Sequence, residues 1–206
     1  LVVLRDAPVA PGESELVQLV LERPIAAAAG DRFVIRDTSA SRTIGGGVLL
    51  DLRPPQRKRR TPERRAELEA LDTPDALVAL AQVLEGASGV VDIDAFFRDR
   101  AAASGAAADA VQALGLVTLA AGGKTVAMRP ETWRRFEASA IATLDAFHAE
   151  RPDMQGMGQE RLRLALQPRL APPFFTAAVQ RLVAAGEVVV DRAWLRRPSH
   201  EVRMTP

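Results

Sequence analysis

The first quarter of the chain places its apolar residues with a period of two, and most of the remainder spaces them three and four apart. Leu1 to Leu4 and Leu16 to Leu21 read as strands, separated by Pro8, Pro11 and Gly12. A third strand sets Arg32, Val34 and Arg36 on one face against Phe33 and Ile35 on the other. The cluster Asp37-Thr38-Ser39-Ala40-Ser41 supplies turn residues, and a fourth strand begins near Arg42. That strand carries Gly45, Gly46 and Gly47 before an apolar run. Glycine weakens a strand unless a backbone or a ligand must come close, so the triplet points to close packing or contact. Four strands make only part of a closed barrel and leave open edges, so further strands are expected to complete it.

Helical spacing takes over at Thr61-Pro62-Glu63, a capping residue followed by proline at the first helical position, and predicts a helix through Leu71. Two units of similar order follow, each predicted as three helices and a hairpin, the order of a winged helix. In the first, Thr73-Pro74 caps a helix with Leu77, Leu80, Ala81 and Leu84; Ile93, Phe96 and Phe97 mark a short second helix; Ala106 to Leu114 is the third. Leu116 to Leu119 and Thr125 to Met128 then flank a glycine-bearing turn. In the second, Trp133, Phe136, Ala140, Leu144 and Phe147 share a helix face after Pro130, and another helix lies near Gln159 to Leu166. Pro172-Pro173 starts the third, with Phe175, Ala178, Val179, Leu182 and Val183 facing inward and Gly186 at its end. Val188 to Val190 and Val202 to Met204 would form the second wing. The domains are therefore drawn at 1–55 (barrel part), 56–71 (basic linker and helix), 72–129 and 130–206 (winged helices).

Composition narrows the chemistry. The 206 residues carry no cysteine, which excludes disulfides, thiolate metal sites and cysteine nucleophiles and suits a reducing compartment. No apolar stretch approaches the roughly 20 residues of a membrane span. The net charge of +1 conceals a local run, Arg57-Lys58-Arg59-Arg60, that can neutralise phosphates or serve as a solvated tether. His148 and His200 have no partner at metal-ligand spacing, and His148 reads as a helix-end residue. No Gly-x-Ser-x-Gly occurs, so no catalytic constellation is expected. Gly122-Gly123-Lys124-Thr125 lacks the earlier glycine of a phosphate-binding loop, Thr118 standing in its place, and a strand rather than a helix follows, so it reads as a wing turn. Trp194, Arg196, Arg197 and His200 can stack on bases and grip phosphates, or stabilise their own hairpin.

Arg-Phe-x-x-Arg-Asp followed by Arg-Thr-x-Gly-Gly-Gly, at Arg32 to Gly47, resembles the third domain of elongation factor Tu-like translation GTPases. With the arginine-rich linker and two winged units behind it, the chain is similar to the bacterial selenocysteine-specific elongation factors. The resemblance is specific over Gly30 to Leu52, includes a Pro-x-His matched by Pro198-Ser199-His200, and is architectural from Asp72 onward. It implies a partial β-barrel followed by two tandem winged helices. It also implies a monomeric, cytoplasmic factor that delivers selenocysteyl-tRNA to the ribosome at UGA codons marked by an mRNA hairpin, that hairpin being held by further downstream domains. GTP and magnesium belong to the whole family member; no cofactor, metal or catalytic residue is expected within these residues. The candidate RNA contacts are Arg42, Thr43, Gly45, Gly46, Arg57, Lys58, Arg59, Arg60, Arg196 and Arg197. Arg36 and Asp37 are expected to be structural. The alternatives are a winged-helix DNA-binding regulator, against which the polar-poor third helices argue, and a structural arm that binds protein.

Overall fold

The computed structural model describes residues 1–5 and 8–202. These divide into two compact units, one of residues 1–87 with 95–110, the other of 88–94 with 111–206.

The first unit begins with two antiparallel ladders. β1 (Val2–Val3) pairs with β2 (Val17–Gln18), and β3 (Arg32–Arg36) pairs with β4 (Thr43–Val48). In β3 the period-two pattern is realised, with Phe33 and Ile35 half-buried and Arg32, Val34 and Arg36 exposed. Helix α1 (Pro62–Leu71) starts where Thr61 and Pro62 predict, the Thr61 hydroxyl accepting from the Arg64 amide at 3.3 Å. It packs on α2 (Ala76–Glu85), whose Ala79, Leu80, Val83 and Leu84 are buried. The cap of α2 is Asp75 rather than Thr73: its carboxylate accepts from the amides of Leu77 and Val78 at 2.8 and 3.0 Å. Thr73 is occupied elsewhere, its hydroxyl donating to the Gln82 side chain at 3.0 Å. Replacing Asp75 by alanine removes the acceptor for two orphan amides, and a loss of about 1 kcal/mol is expected in denaturant unfolding of the chain; Thr73→Ala should cost less.

Six elements from α2 onward run helix, strand, two helices, two strands: α2, β5 (Val90–Asp92), α3 (Ile93–Asp99), α4 (Ala106–Ala113), β6 (Val117–Ala121) and β7 (Lys124–Met128). The sheet order is β5-β7-β6, all antiparallel. Gly122 and Gly123 make the β6–β7 turn with φ of +58° and +71°, a left-handed pair that glycine adopts without strain. The same order repeats in α5 (Pro130–Glu150), β8 (Met157–Gly158), α6 (Gln159–Ala165), α7 (Pro172–Ala184), β9 (Val189–Asp191) and β10 (Trp194–Arg196), with sheet order β8-β10-β9.

The core of the second unit is built on α5, whose Trp133, Phe136, Ala140, Leu144 and Phe147 are all buried, as their spacing predicts. Phe175, Ala178, Val179 and Leu182 of α7 and Leu195 of β10 complete it. Val183, expected inward, is 40% exposed, because it falls beyond the stripe that its helix buries. Two short strands, β5 and β8, carry no signal of their own in the sequence. The second wing strand is β10 rather than Val202 to Met204; of that stretch, 203 and 204 lie outside the described residues.

Candidate nucleic-acid interface

The hairpin of β3 and β4 is assembled around close backbone approach. Val34 pairs with Gly46 and Phe33 with Gly47, and the register slips between Ile35 and Arg36, leaving Ile44 as the extra residue between Gly45 and Thr43. A Cβ at Gly46 would lie 2.6 Å from the Phe33 carbonyl oxygen, and one at Gly47 would lie 2.9 Å from the tip of the Phe33 ring. At Gly45 nothing stands within 4 Å of the same position. Two of the three glycines are thus needed by the hairpin itself, and the third leaves open space.

The turn is held by Asp37. Its carboxylate accepts from the amides of Ser41 (2.8 Å) and Arg42 (3.2 Å) and from the Ser41 hydroxyl (3.0 Å). These bonds, the Arg42 amide foremost, hold the Asp37 carboxyl below its ordinary value. Asp37 therefore organises the turn, and the Arg42 side chain is left exposed at its end beside Thr43. The solvent face of the hairpin carries more than the motif suggested. Arg32 and Arg36 stand at the two ends of β3 with Val34 between them, 68% exposed, and Val48 at 45% lies opposite Arg32. An apolar strip between arginines suits base or sugar surfaces flanked by phosphates. The signal for it was the period-two alternation, which places Arg32 and Arg36 together.

In the basic run Arg57 and Lys58 are exposed, Lys58 with φ of +56°. Arg59 turns back, its Nε donating to the Gln56 carbonyl at 2.9 Å, and Arg59 and Arg60 line a cleft of about 220 Å³ with Leu4, Leu16, Thr61 and Arg65. The run does not lead into a loose tether. Arg64, 8% exposed, is paired with Asp51 and Glu67; Arg65 bonds Glu15 at 2.7 Å; and Arg53 grips both carboxylate oxygens of Asp99 at 2.7 and 2.8 Å. Burial, the largest influence on Arg64, works against its charge, yet the hydrogen bonds it donates to Glu67 and Asp51 carry its pKa above the ordinary value.

Arg196 and Arg197 are in the second unit, and their guanidinium groups are taken up inside it. Arg197 bonds Glu187 at 2.8 Å and faces Asp145 at 3.3 Å, while Arg196 donates to the carbonyls of Arg197 and His200 at 3.4 and 3.3 Å. The structure thus brings Arg42, Thr43, Gly45 and Gly46 together on one hairpin and Arg57 to Arg60 on one segment of the same unit. Arg196 and Arg197 form a separate cluster, paired within their own unit, although Arg197 Nε is buried without a hydrogen bond and has only the 3.3 Å approach to Asp145. Among the described residues no group of three or more His, Cys, Asp or Glu side chains could hold a metal ion, and no helix is long and apolar enough to cross a membrane.

Comparison with known proteins agrees with this layout. Residues 2–56 match the family described as "Selenocysteine-specific elongation factor, beta-barrel domain", and residues 141–196 match "Elongation factor SelB, winged helix". The chain belongs to the selenocysteine-specific elongation factors. It is 28% identical over 190 residues to the selenocysteine-specific elongation factor of Escherichia coli (strain K12), covering 92% of this chain and 30% of that relative. It is 26% identical over 217 residues to that of Desulfomicrobium baculatum, covering 94% and 31%. The chain thus spans about 30% of the length of these curated relatives. A barrel part of selenocysteine-specific elongation factor type followed by a winged helix is established, and the matches do not favour a DNA-binding regulator.

Proposed function

We propose that this chain is the stretch of a selenocysteine-specific elongation factor that touches selenocysteyl-tRNA, with the β3–β4 hairpin as the contact and the two winged units as the arm that follows it. The observation that carries the reading is the hairpin's solvent face, Arg32, Val34 and Arg36 with Arg42 and Thr43 at its end, within residues that match the family's barrel domain. Arg57 and Lys58 add two exposed cations on the same unit. Phosphate neutralisation at these positions gives affinity, and the open space at Gly45 lets a backbone come close. Nothing in the site can perform a covalent step. GTP hydrolysis, delivery to the ribosome and the choice of UGA codons marked by an mRNA hairpin are assigned to the whole factor, in a monomeric and cytoplasmic setting.

The test is binding of the 206-residue chain to selenocysteine tRNA and to an ordinary elongator tRNA across a salt series. Binding should weaken linearly in log–log form, and the double variant Arg57→Ala/Lys58→Ala should reduce the slope by roughly 1.5–2, one phosphate contact per residue. Binding that ignores salt, or a slope unchanged in the double variant, would remove the basic run from the interface. A preference for duplex DNA over both tRNAs would sink the whole reading.

A further inference from the structure

The chain has two histidines, 52 positions apart, and the fold lays one upon the other. The rings of His148, near the end of α5, and His200, beyond β10, are stacked with centroids 3.7 Å apart and planes 10° from parallel. Each ring also makes one bond across the chain. The Arg197 amide donates to His148 Nε2 at 3.2 Å, and His200 Nε2 lies 2.8 Å from the Met154 carbonyl oxygen. Those bonds dictate the tautomers. His148 must carry its proton on Nδ1 so that Nε2 can accept, whereas His200 must carry one on Nε2 so that it can donate. His148 is only 9% exposed, and its Nδ1 is buried without a hydrogen-bond partner. Face-to-face rings do not aim their nitrogens at a common point, so the pair is not built to share an ion.

We propose that the two histidines form an acid-opened latch, which holds residues 197–202 on the end of α5 while His148 is neutral and releases them when His148 takes a proton.

The surroundings favour this order of events. A second proton on His148 lands on Nε2, where it meets the Arg197 N–H in place of a lone pair, so the bond that closes the latch is lost at that step. The charge then finds few counterions. From α5 comes Asp145, already facing Arg197 at 3.3 Å; from the segment before β9 comes Glu187, bonded to the same arginine; and from the segment after β10 come Arg196, Arg197 and Glu201. Burial first, then His200, Arg196 and Arg197, hold the His148 pKa below its ordinary value, with Asp145 opposing. The sign follows from linkage. A histidine whose folded pKa is depressed leaves stability whole above the ordinary value of about 6.5, and stability falls as pH drops below it, because the open state binds more protons. A polar cavity of about 340 Å³, lined by Asp145, Pro152, Arg197, Ser199 and both rings, adjoins the stack and gives water a route to it on opening.

The Arg197 amide reports the latch directly. Its hydrogen-exchange protection in the full chain, corrected for intrinsic rate, should fall at least tenfold between pH 7.5 and 5.5, while core amides such as that of Leu144 hold theirs. His148→Gln supplies a side-chain oxygen that can accept from the amide and cannot titrate, so its protection should stay flat across the range. Wild-type protection unchanged down to pH 5.5, or an equal fall in a folded His148→Gln, overturns the proposal. Should His148→Gln lose its circular-dichroism helix signal, His200→Phe gives a second reading. It keeps a stacked ring that cannot titrate, so protonation of His148 alone should still strip the Arg197 amide of its protection as pH falls; protection that stays flat in folded His200→Phe also overturns the latch.

Discussion

Arg64→Ala should destabilise the first unit by about 2–3 kcal/mol, somewhat less than the roughly 3–5 kcal/mol for removing one member of a fully buried ion pair. The guanidinium lies almost wholly out of water between Asp51, which precedes the basic run, and Glu67 on its own helix. Truncation leaves Asp51, 18% exposed, with an unpartnered Oδ2 against a helix that no longer offers it a donor, while its Oδ1 keeps the Arg53 amide at 2.7 Å. The value stays below the full buried-pair figure because Glu67 is 46% exposed and recovers its water. A double-mutant cycle separates this from lost packing. Arg64→Met and Asp51→Asn, alone and together, should be strongly non-additive, the pair costing much less than the sum of the single changes. Additive costs in urea unfolding would mean that Arg64 acts through its aliphatic stem alone.

The second large effect is expected from the glycine triplet, and it is graded. Gly46→Ala puts a methyl 2.6 Å from the Phe33 carbonyl oxygen, where only the backbone can yield, so a loss of about 2 kcal/mol and a disturbed β3–β4 ladder should follow. Gly47→Ala meets the tip of the Phe33 ring, which can swing, and should cost about half as much. Gly45→Ala meets nothing and should stay within about 0.5 kcal/mol of the parent. The same three variants test the interface from another side. If RNA approaches the open space over Gly45, Gly45→Ala should weaken tRNA binding with the hairpin's amide exchange unaltered, which separates contact from folding. Equal tRNA affinity in parent and Gly45→Ala would restrict the glycines to packing.

Local signals were legible in the sequence, and distant ones were not. Thr61-Pro62 marks the start of α1 because a cap and a φ-restricted proline act within one turn, and the α5 stripe is legible because five apolar residues repeat over 21 positions. The Phe33/Ile35 alternation gave the β3 faces for the same reason. By contrast, β5 is a strand only because Val90 meets Met128, and β8 only because Met157 meets Leu195. Two or three residues have too little pattern to declare themselves. Within the site, Arg42 and Arg57 stand exposed among many arginines of identical type, and nothing near Arg64 or Arg197 in the chain betrays that their carboxylate partners include Asp51, Glu187 and Asp145. His148 looked like a helix-end residue because its stacking partner comes 52 positions later. In this chain the arginine count says little about the interface; which guanidinium groups are already held decides it.

The sheet order also bears on how the chain is made. Among the described residues, the first strand of each winged unit pairs with the last: β5 waits for β7, and β8 waits for β10. As the polypeptide leaves the ribosome from its N-terminal end, Val90 to Asp92 must emerge and remain unpaired while α3, α4 and β6 follow, and β6 itself gains its only partner when residues 124–128 appear. A chain ending at residue 121 therefore holds β5 and β6 unpaired and no winged-helix sheet, although the β1–β2 and β3–β4 ladders are already complete. Each three-stranded sheet closes in a single late step, so a chain that has emerged only as far as Lys124 or Trp194 presents unpaired strands for chaperones to cover, whereas once β7 or β10 is clear of the exit tunnel only the two outer edges of each sheet remain.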